Sequence, residues 1–278
     1  MEKGMNFMAI KMIGVDLDGT LLTSGNYIST ETRKVLQEVS NQGIKVVLAS
    51  GRPLSGVKEF ADDLGLKGPD QYAVVFNGAV VQALDGKVLM SQEMDYQDFT
   101  TMLRMQRLSH ANLHFETTEC FWTLDRNLCV QMQINAAFTN NELRVRDKKE
   151  IPQDFTFNKV SFTCDRASDE VEKLWQALPD WAFQSYDIVR SLDNCIEINA
   201  IGASKGNGLM NLAERLKIRP KEVMIFGDQG NDMSMFNNPD FYKVAMGNAI
   251  EDIKARADYV TDDNDHNGVA KALKKLVL

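Results

Sequence analysis

The sequence predicts an α/β protein, built on a doubly wound parallel sheet into which a smaller α+β unit is inserted. In the first third of the chain, apolar runs rich in β-branched residues alternate with helical segments, a pattern typical of parallel strands joined by right-handed crossovers. In the middle third this alternation is lost, and it resumes near residue 200. We therefore predict one domain from 1–89 and 198–278, and a second, inserted domain from 90–197.

Each element of the first segment has a local signal. An apolar run near the N-terminus and a β-branched run at 44–49 predict two buried strands. Between them, Ser29 predicts the N-cap of a helix and Gly43 predicts its end. A second helix is predicted by apolar residues spaced i, i+3, i+4 and i+7, namely Val57, Phe60, Ala61 and Leu64. A third strand at 72–76 precedes a hairpin that turns at Asp85–Gly86.

The remaining elements are predicted mainly from composition. In the insert we expect helices at 95–108 and 168–178, and strands at 114–124, 130–134, 157–163, 182–186 and 195–199. After residue 200 we expect a helix following Lys205, strands at 223–226, 243–246 and 259–261, and a last helix at 269–276. The parallel-strand pattern is thus predicted to continue after the insert.

Composition excludes several classes of protein. Of the 278 residues, 44% are hydrophobic and 25% are charged, as in ordinary globular proteins, and the formal net charge is −8. An acidic chain argues against a nucleic acid or an anionic membrane as partner, because both attract basic patches. We expect neither a signal peptide nor a membrane span at the N-terminus. The dispersed cysteines argue against a zinc knuckle and favour a reducing cytoplasm: Cys120, Cys129, Cys164 and Cys195.

The segment VDLDGTLL carries two aspartates at the predicted carboxyl end of the first strand. Side chains alternate along a strand, so Asp16 and Asp18 are expected to point the same way. Their mutual repulsion would be removed by Mg²⁺, which prefers oxygen ligands. We therefore hypothesise that Asp16 is a nucleophile and Asp18 a general acid/base. D-G is also a common turn pair, so the motif alone leaves a simple polar turn open.

Three further groups are predicted at strand ends or helix starts, where ligands bind in open α/β sheets. Ser50 and Gly51 follow the second strand and can donate hydrogen bonds to phosphoryl oxygens. Lys205 precedes a helix and can supply the positive charge that an anionic nucleophile needs when it approaches a phosphate.

The last group, GDQGND, follows the strand at 223–226. Asp228 is expected to hold the metal, and Asn231 can donate a hydrogen bond. For Asp232 two roles stay open, the N-cap of the next helix or the orientation of metal ligands and water.

In order and spacing these motifs resemble those of the haloacid dehalogenase superfamily of phosphohydrolases. VDLDGTLL, ASGRP, the lysine of ASKGNG, and GDQGND resemble its four motifs. NGA at 77–79 and VAMGNA at 244–249 resemble the Cof-type branch, whose bacterial members are often sugar phosphatases. The resemblance implies a Rossmann-like core with a type IIB cap inserted between the second and third motifs.

The resemblance also implies roles for single residues. Asp16 is implied as nucleophile and metal ligand, Asp18 as acid/base with its backbone carbonyl on Mg²⁺, and Asp228 as a further metal ligand. Contacts with the phosphoryl group are implied for Leu17 N–H, Ser50, Gly51, Lys205 and Asn231. An acid/base at Asp18 favours a phosphatase over a dehalogenase, because phosphoryl transfer needs a proton for the leaving alcohol.

The sequence thus predicts a cytoplasmic, Mg²⁺-dependent phosphatase of small phosphorylated metabolites, with sugar phosphates as the expected substrates. Two alternatives stay open. One is a phosphomutase or phosphotransferase on the same core; the other is a receiver-like phospho-switch, against which Asp18 and the cap argue. Specificity is expected on the cap, with Arg190, Ser191 and Glu197 as candidates. Arg52–Pro53 is expected to shape a helix start.

Overall fold

The computed structural model describes residues 10–166 and 168–278, which form two β-sheets with flanking helices. The chain begins with β1 (Met12–Asp16), β2 (Lys45–Ala49), β3 (Tyr72–Val75), β4 (Val80–Ala83) and β5 (Val88–Ser91). The inserted part supplies β6 (Asn112–Glu116), β7 (Phe121–Thr123), β8 (Leu143–Val145), β9 (Lys159–Thr163), β10 (Tyr186–Leu192) and β11 (Cys195–Ala200). The chain then adds β12 (Val223–Gly227), β13 (Tyr242–Ala245) and β14 (Tyr259–Val260).

Ten α-helices connect these strands in the part of the chain that the structure describes. They are α1 (Thr30–Asn41), α2 (Ser55–Asp63), α3 (Tyr96–Gln106), α4 (Val130–Phe138), α5 (Glu170–Ala177), α6 (Asp180–Ser185), α7 (Lys205–Arg215), α8 (Met233–Phe236), α9 (Glu251–Lys254) and α10 (Gly268–Leu276).

The large sheet has eight strands in the order β14-β13-β12-β1-β2-β3-β4-β5. Its strands are parallel from β14 to β3, and β4 pairs antiparallel with both β3 and β5. All five residues of β1 are buried, as expected for a central parallel strand that is covered on both faces. The predicted α/β fold class, a parallel sheet with an inserted α+β unit, is confirmed.

The second sheet has six strands in the order β10-β11-β9-β6-β7-β8 and is antiparallel except between β7 and β8. It has its own hydrophobic cluster, separate from that of the large sheet. We call this second unit the cap. The domain bounds at residues 90 and 198 stay a prediction; β5 of the large sheet ends at Ser91, and β11 of the cap sheet ends at Ala200.

Two strands predicted in the cap are wrong. The segment 130–134 has strand composition but belongs to α4, because Asp165 Oδ1 accepts hydrogen bonds from the backbone N–H groups of Val130 (2.7 Å) and Gln131 (3.3 Å). The segment 182–186 lies mostly in α6, which starts after Pro179 with an acidic residue in its first turn, and the strand begins only at Tyr186. In both cases a helix start overrides the β-propensity of the residues after it.

Candidate active site

Three neighbouring strands of the large sheet end at the same edge. Asp16 is the last residue of β1, Ser50 follows β2, and Asp228 follows β12. Since β1 lies between β2 and β12, these residues are brought together at the carboxyl edge, the usual ligand site of such sheets. Carboxylate oxygens of Asp16, Asp228 and Asp232 lie within 4.8 Å of one another.

Lys205 is the first residue of α7, and its side chain is fully buried beneath this edge. Its Nζ donates hydrogen bonds to Asp16 Oδ1 at 2.5 Å and to Asp232 Oδ1 at 2.7 Å. Burial alone would lower the pKa of Lys205, but the two carboxylates outweigh it and raise that pKa above its ordinary value. The ammonium group therefore stays charged beside Asp16.

Gly78 explains how the start of α7 comes so close. Its φ is +98°, a conformation that favours glycine, and a Cβ there would lie 2.0 Å from the carbonyl oxygen of Ser204. The backbone after β3 can thus pack directly against the residue that precedes Lys205. A side chain at residue 78 would push the lysine away from Asp16.

Asp232 immediately precedes α8, but among the described residues its side chain makes no capping hydrogen bond to that helix and instead contacts the neighbouring site residues. One carboxylate oxygen, Oδ1, accepts the hydrogen bond from Lys205. The other, Oδ2, accepts from the backbone N–H groups of Asp228 (2.9 Å) and Gln229 (3.1 Å). Asp232 therefore fixes both the lysine and the loop that carries Asp228.

Asp228 is held from the opposite side by the loop after β1. Its Oδ1 accepts a hydrogen bond from Thr20 Oγ1 at 2.8 Å. Gly19 has φ +80°, and a Cβ there would lie 2.4 Å from Asp228 Oδ2. Glycine at residue 19 is therefore required for the close approach of the two loops.

The donor set fits a hard divalent cation. Both oxygens of Asp232 already accept hydrogen bonds, whereas among the described residues Oδ2 of Asp228 accepts none and Oδ1 of Asp16 accepts only the one from Lys205. Burial is the main cause that raises the pKa of Asp16 and raises the pKa of Asp228 to about 6. Repulsion from Asp232 is the second cause for both groups. An all-oxygen set of buried carboxylates that resist ionisation suits Mg²⁺, which supplies the missing charge.

Asp18 lies on the cavity side of this cluster, and 60% of its side chain is exposed. Arg52 donates to both of its carboxylate oxygens, Nε to Oδ2 at 3.1 Å and Nη2 to Oδ1 at 2.5 Å. The guanidinium also packs over the ring of Phe138 of the cap, 4.7 Å from its centroid. The prediction for Arg52 was therefore incomplete: it does contact the first turn of α2, at Gly56 O, but it also orients Asp18.

A cavity of about 470 Å³ separates this edge from the cap. Of the residues that the sequence singled out, its wall contains Asp16, Asp18, Ser50, Gly51, Asp228, Asn231, Ser191 and Glu197. Leu17, Lys205 and Asp232 are buried behind the wall. Arg190, a cap candidate, lies outside it and pairs with Glu172 and the carbonyl oxygen of Asp193.

Of the cap residues that meet the edge, Glu197 was a candidate from the sequence, whereas Lys159 and Glu116 were not predicted. Lys159 of β9 donates to Gly51 O at 2.8 Å and to Glu197 Oε1 at 3.0 Å, and it lies 3.2 Å from Glu116 Oε1. Asn77, after β3, donates to Glu197 Oε2 at 2.7 Å. The segment KVSFT alternates polar and apolar residues, and this alternation was the signal available in the sequence for a polar face of the cap. In the structure all five residues of this strand are buried.

Comparison with known proteins identifies the family of the chain. The family of haloacid dehalogenase-like hydrolases matches residues 13–273. YxeH of Bacillus subtilis is 33% identical, over 96% of this chain and 98% of its own length. The phosphatase YwpJ of Bacillus subtilis is 31% identical, over 96% of this chain and 100% of its own length. The 5-amino-6-(5-phospho-D-ribitylamino)uracil phosphatase YcsE of the same organism is 31% identical, over 97% of this chain and 96% of its own length.

Solved structures of the same family have the same overall fold. A haloacid dehalogenase-like hydrolase from Bacteroides thetaiotaomicron superposes with a TM-score of 0.83 at 27% identity, covering 96% of this chain and 99% of that one. BT1666 from the same organism, a phosphatase of the haloalkanoate (HAD) enzyme superfamily, superposes with a TM-score of 0.79 at 28% identity, covering 97% of this chain and 96% of that one.

The chain therefore belongs to the family of haloacid dehalogenase-like hydrolases, in its Cof-type branch, and it is a phosphatase. The predicted family and enzyme class are confirmed. Among the residues that the structure describes, no helix has the length and apolar character needed to cross a membrane.

Proposed function

We propose that this phosphatase is Mg²⁺-dependent, acts on small phosphorylated metabolites, and works through an aspartyl-phosphate on Asp16. The contact between Lys205 and Asp16 carries the proposal. It holds a carboxylate at the centre of the site, beside a buried cation that offsets the repulsion between that carboxylate and an incoming phosphate.

The geometry suggests which oxygen of Asp16 attacks. Since Oδ1 accepts the hydrogen bond from Lys205, Oδ2 is the oxygen left to bond with phosphorus. As the Oδ2–P bond forms, the bond between phosphorus and the leaving oxygen breaks. Asp18 donates a proton to that oxygen, so an alcohol departs and a phosphoryl group stays on Asp16.

The second half of the reaction reverses these roles. Asp18, now a carboxylate, accepts a proton from water as the water oxygen attacks phosphorus, and the Oδ2–P bond breaks to release inorganic phosphate and restore Asp16. Arg52 positions the Asp18 carboxylate on the cavity side. Ser50, Gly51 and Asn231 line the cavity where hydrogen bonds to phosphoryl oxygens are needed, and the Leu17 N–H is the fourth proposed donor.

Asp16, Asp228 and the backbone carbonyl of Asp18 are the proposed ligands of Mg²⁺. When bound, the ion supplies positive charge that neutralises the carboxylates and polarises a phosphoryl oxygen. Asp232 supports this set by fixing the loop of Asp228 and the ammonium of Lys205.

The size of the cavity supports a small substrate. A volume of about 470 Å³ lies within the range of metabolite sites, and the cap above it limits access of bulk water. The relative YcsE is named for a phosphate ester of a ribityl chain, which supports a sugar-like substrate here. We propose that the protein acts in the cytoplasm, without nucleic acid or membrane as partner.

Release of inorganic phosphate from a panel of sugar and polyol phosphates tests the proposal, with p-nitrophenyl phosphate as a general substrate. Hydrolysis that stops with EDTA and returns with Mg²⁺ supports it, and activity indifferent to chelation contradicts the metal role. Substrate loss without matching phosphate release would favour the phosphomutase or phosphotransferase alternative.

A further inference from the structure

One face of the cap sheet is polar although it is buried. On β6, β9 and β11, alternate residues such as Phe115, Phe162 and Ile198 belong to the hydrophobic cluster of the cap. The residues between them point to the opposite face, as the period of a strand requires, and most are charged or polar: His114, Glu116, Lys159, Ser161 and Glu197. Glu116, Lys159, Ser161 and Glu197 line the cavity above Asp16.

Buried polar groups destabilise a fold unless they are hydrogen-bonded, so each group on this face needs a partner. Lys159 lies within 3.2 Å of acceptors on Gly51, Glu116 and Glu197. Glu197 is also satisfied, because Oε1 accepts from Lys159 and Oε2 from Asn77. Every polar atom of these two side chains therefore already has a partner.

Glu116 is different, because its two oxygens have unequal surroundings. Oε1 accepts a hydrogen bond from Ser161 Oγ at 2.6 Å and lies 3.2 Å from Lys159 Nζ and 3.3 Å from His114 Nε2. Oε2 is buried and accepts no hydrogen bond from any residue in the described chain. The side chain of Glu116 is only 2% exposed and belongs to the wall of the cavity, so an unpartnered carboxylate oxygen is buried in a residue of that wall.

The carboxylate of Glu116 is ionised at neutral pH. Burial raises its pKa, but Lys159 and His114 lower it further, and the net result is a pKa of about 2. An ionised carboxylate only accepts hydrogen bonds, so the group that pairs with Oε2 is a donor.

Glu116 also lies at a suitable place for contact with a leaving group. Lys159 contacts both Glu116 and the carbonyl oxygen of Gly51, the residue after Ser50 at the phosphoryl-binding edge. Glu116 and the phosphoryl-binding edge thus line the same cavity, which is the space open to the leaving group of a phosphate bound at this edge. A second phosphate or a carboxylate has no proton to donate to Oε2 of the ionised Glu116, which disfavours a second anionic group there.

We propose that Oε2 of Glu116 accepts a hydrogen bond from the leaving group of the substrate. Glu116 thereby favours phosphomonoesters whose leaving group carries a hydroxyl or amino donor over esters whose leaving group carries none, and it disfavours a second phosphate or a carboxylate. This inference rests on the proposed function and names a residue that determines its specificity.

The test compares two substrates in the variant Glu116→Gln. The amide has the same shape and keeps one oxygen for Ser161, but it replaces an acceptor by a donor. We expect kcat/KM for ribitol 5-phosphate to fall about 10- to 100-fold, the range for a lost hydrogen bond to a charged group. For p-nitrophenyl phosphate, whose leaving group has no donor for Oε2, we expect a change of less than about threefold.

Glu197→Gln is the matched control, because it removes the same charge from the same face at a carboxylate whose oxygens are both already partnered. It is expected to change kcat/KM for the two substrates by a common factor. An equal loss for both substrates in Glu116→Gln would show that Glu116 only supports the structure of the cap, and would overturn the proposal.

A comparison in the wild type does not depend on the folding of any variant. Fructose 6-phosphate is expected to give a kcat/KM at least about tenfold above that of fructose 1,6-bisphosphate. The second phosphate of the bisphosphate approaches the negatively charged Oε2 of Glu116 and cannot donate a hydrogen bond to it. Equal values, or a preference for the bisphosphate, contradict the proposal. If the wild type hydrolyses none of these esters, the phosphatase function itself fails; if it hydrolyses them without these preferences, only the role of Glu116 fails.

Discussion

Replacing Lys205 by methionine tests how the site is held together. The ammonium group is fully buried and donates to Asp16 and Asp232, whose side chains are 5% and 0% exposed. Methionine fills a similar volume but leaves two buried carboxylates without their common cation. Removing one partner of a buried ion pair destabilises a protein by about 3–5 kcal/mol, because the remaining charge stays buried and unpaired. We expect a loss of this size in the free energy of unfolding, measured in EDTA so that no metal replaces the lysine.

The double variant Lys205→Met with Asp232→Asn separates this effect from simple loss of packing. It removes one of the two unpaired charges, and we expect it to recover part of the lost stability. The exposed Lys58 of α2 provides a matched control, since Lys58→Met is expected to change stability by less than about 0.5 kcal/mol.

Urea denaturation followed by two probes is the assay. All three tryptophans, Trp122, Trp175 and Trp181, lie in the cap, so their fluorescence reports on the cap, whereas far-UV circular dichroism reports on both units. The Lys205 variant is expected to shift the transition seen by circular dichroism. A free energy of unfolding within about 1 kcal/mol of the wild type would refute the view that this lysine neutralises the buried carboxylates.

Three further predictions concern activity and metal binding. Asp16→Asn is expected to abolish hydrolysis of p-nitrophenyl phosphate while the circular dichroism spectrum stays that of the wild type; retained turnover would contradict the nucleophile. Arg52→Ala is expected to lower kcat/KM about tenfold through loss of the two hydrogen bonds that orient Asp18, and Arg52→Lys is not expected to restore it, because lysine lacks the forked donors. Burial raises the pKa of Asp228 to about 6, so its contribution to stability without metal is present below about pH 4 and is lost as the pH rises through 6. Mg²⁺ binds the ionised form, so the rise in Tm that it causes should grow between pH 5 and 7, and a rise independent of pH would be inconsistent with Asp228 as a ligand.

Much of the core was predictable because its chemistry follows local pattern. Asp16, Ser50 and Asp228 each come at the end of an apolar strand, and parallel strands bring their carboxyl ends to one edge. The order of the strands was not needed to predict that these residues meet. Lys205 could be added because it is the lysine of a motif that precedes a helix.

The cap was less predictable because its elements depend on distant partners. The first part of helix α4 has the composition of a strand, and Asp165, which accepts hydrogen bonds from the first N–H groups of this helix, lies 35 positions from Val130. Likewise, the pairing of Arg52 with Asp18 and the cluster around Glu116 depend on which loops and strands become neighbours. The sequence shows the charges, but the tertiary structure decides which of them face the cavity.

Detection of the covalent intermediate tests the central claim most directly. In the variant Asp18→Asn the second half of the reaction lacks its base, so the phosphorylated enzyme should accumulate when p-nitrophenyl phosphate, whose leaving group departs as a phenolate without a proton, is added with Mg²⁺ and the reaction is quenched in acid. We predict that intact-protein mass spectrometry shows the addition of one phosphoryl group, and that peptide mapping places it on Asp16. A phosphoryl group on another residue, or turnover of substrate by the wild type with none trapped in this variant, would contradict the account.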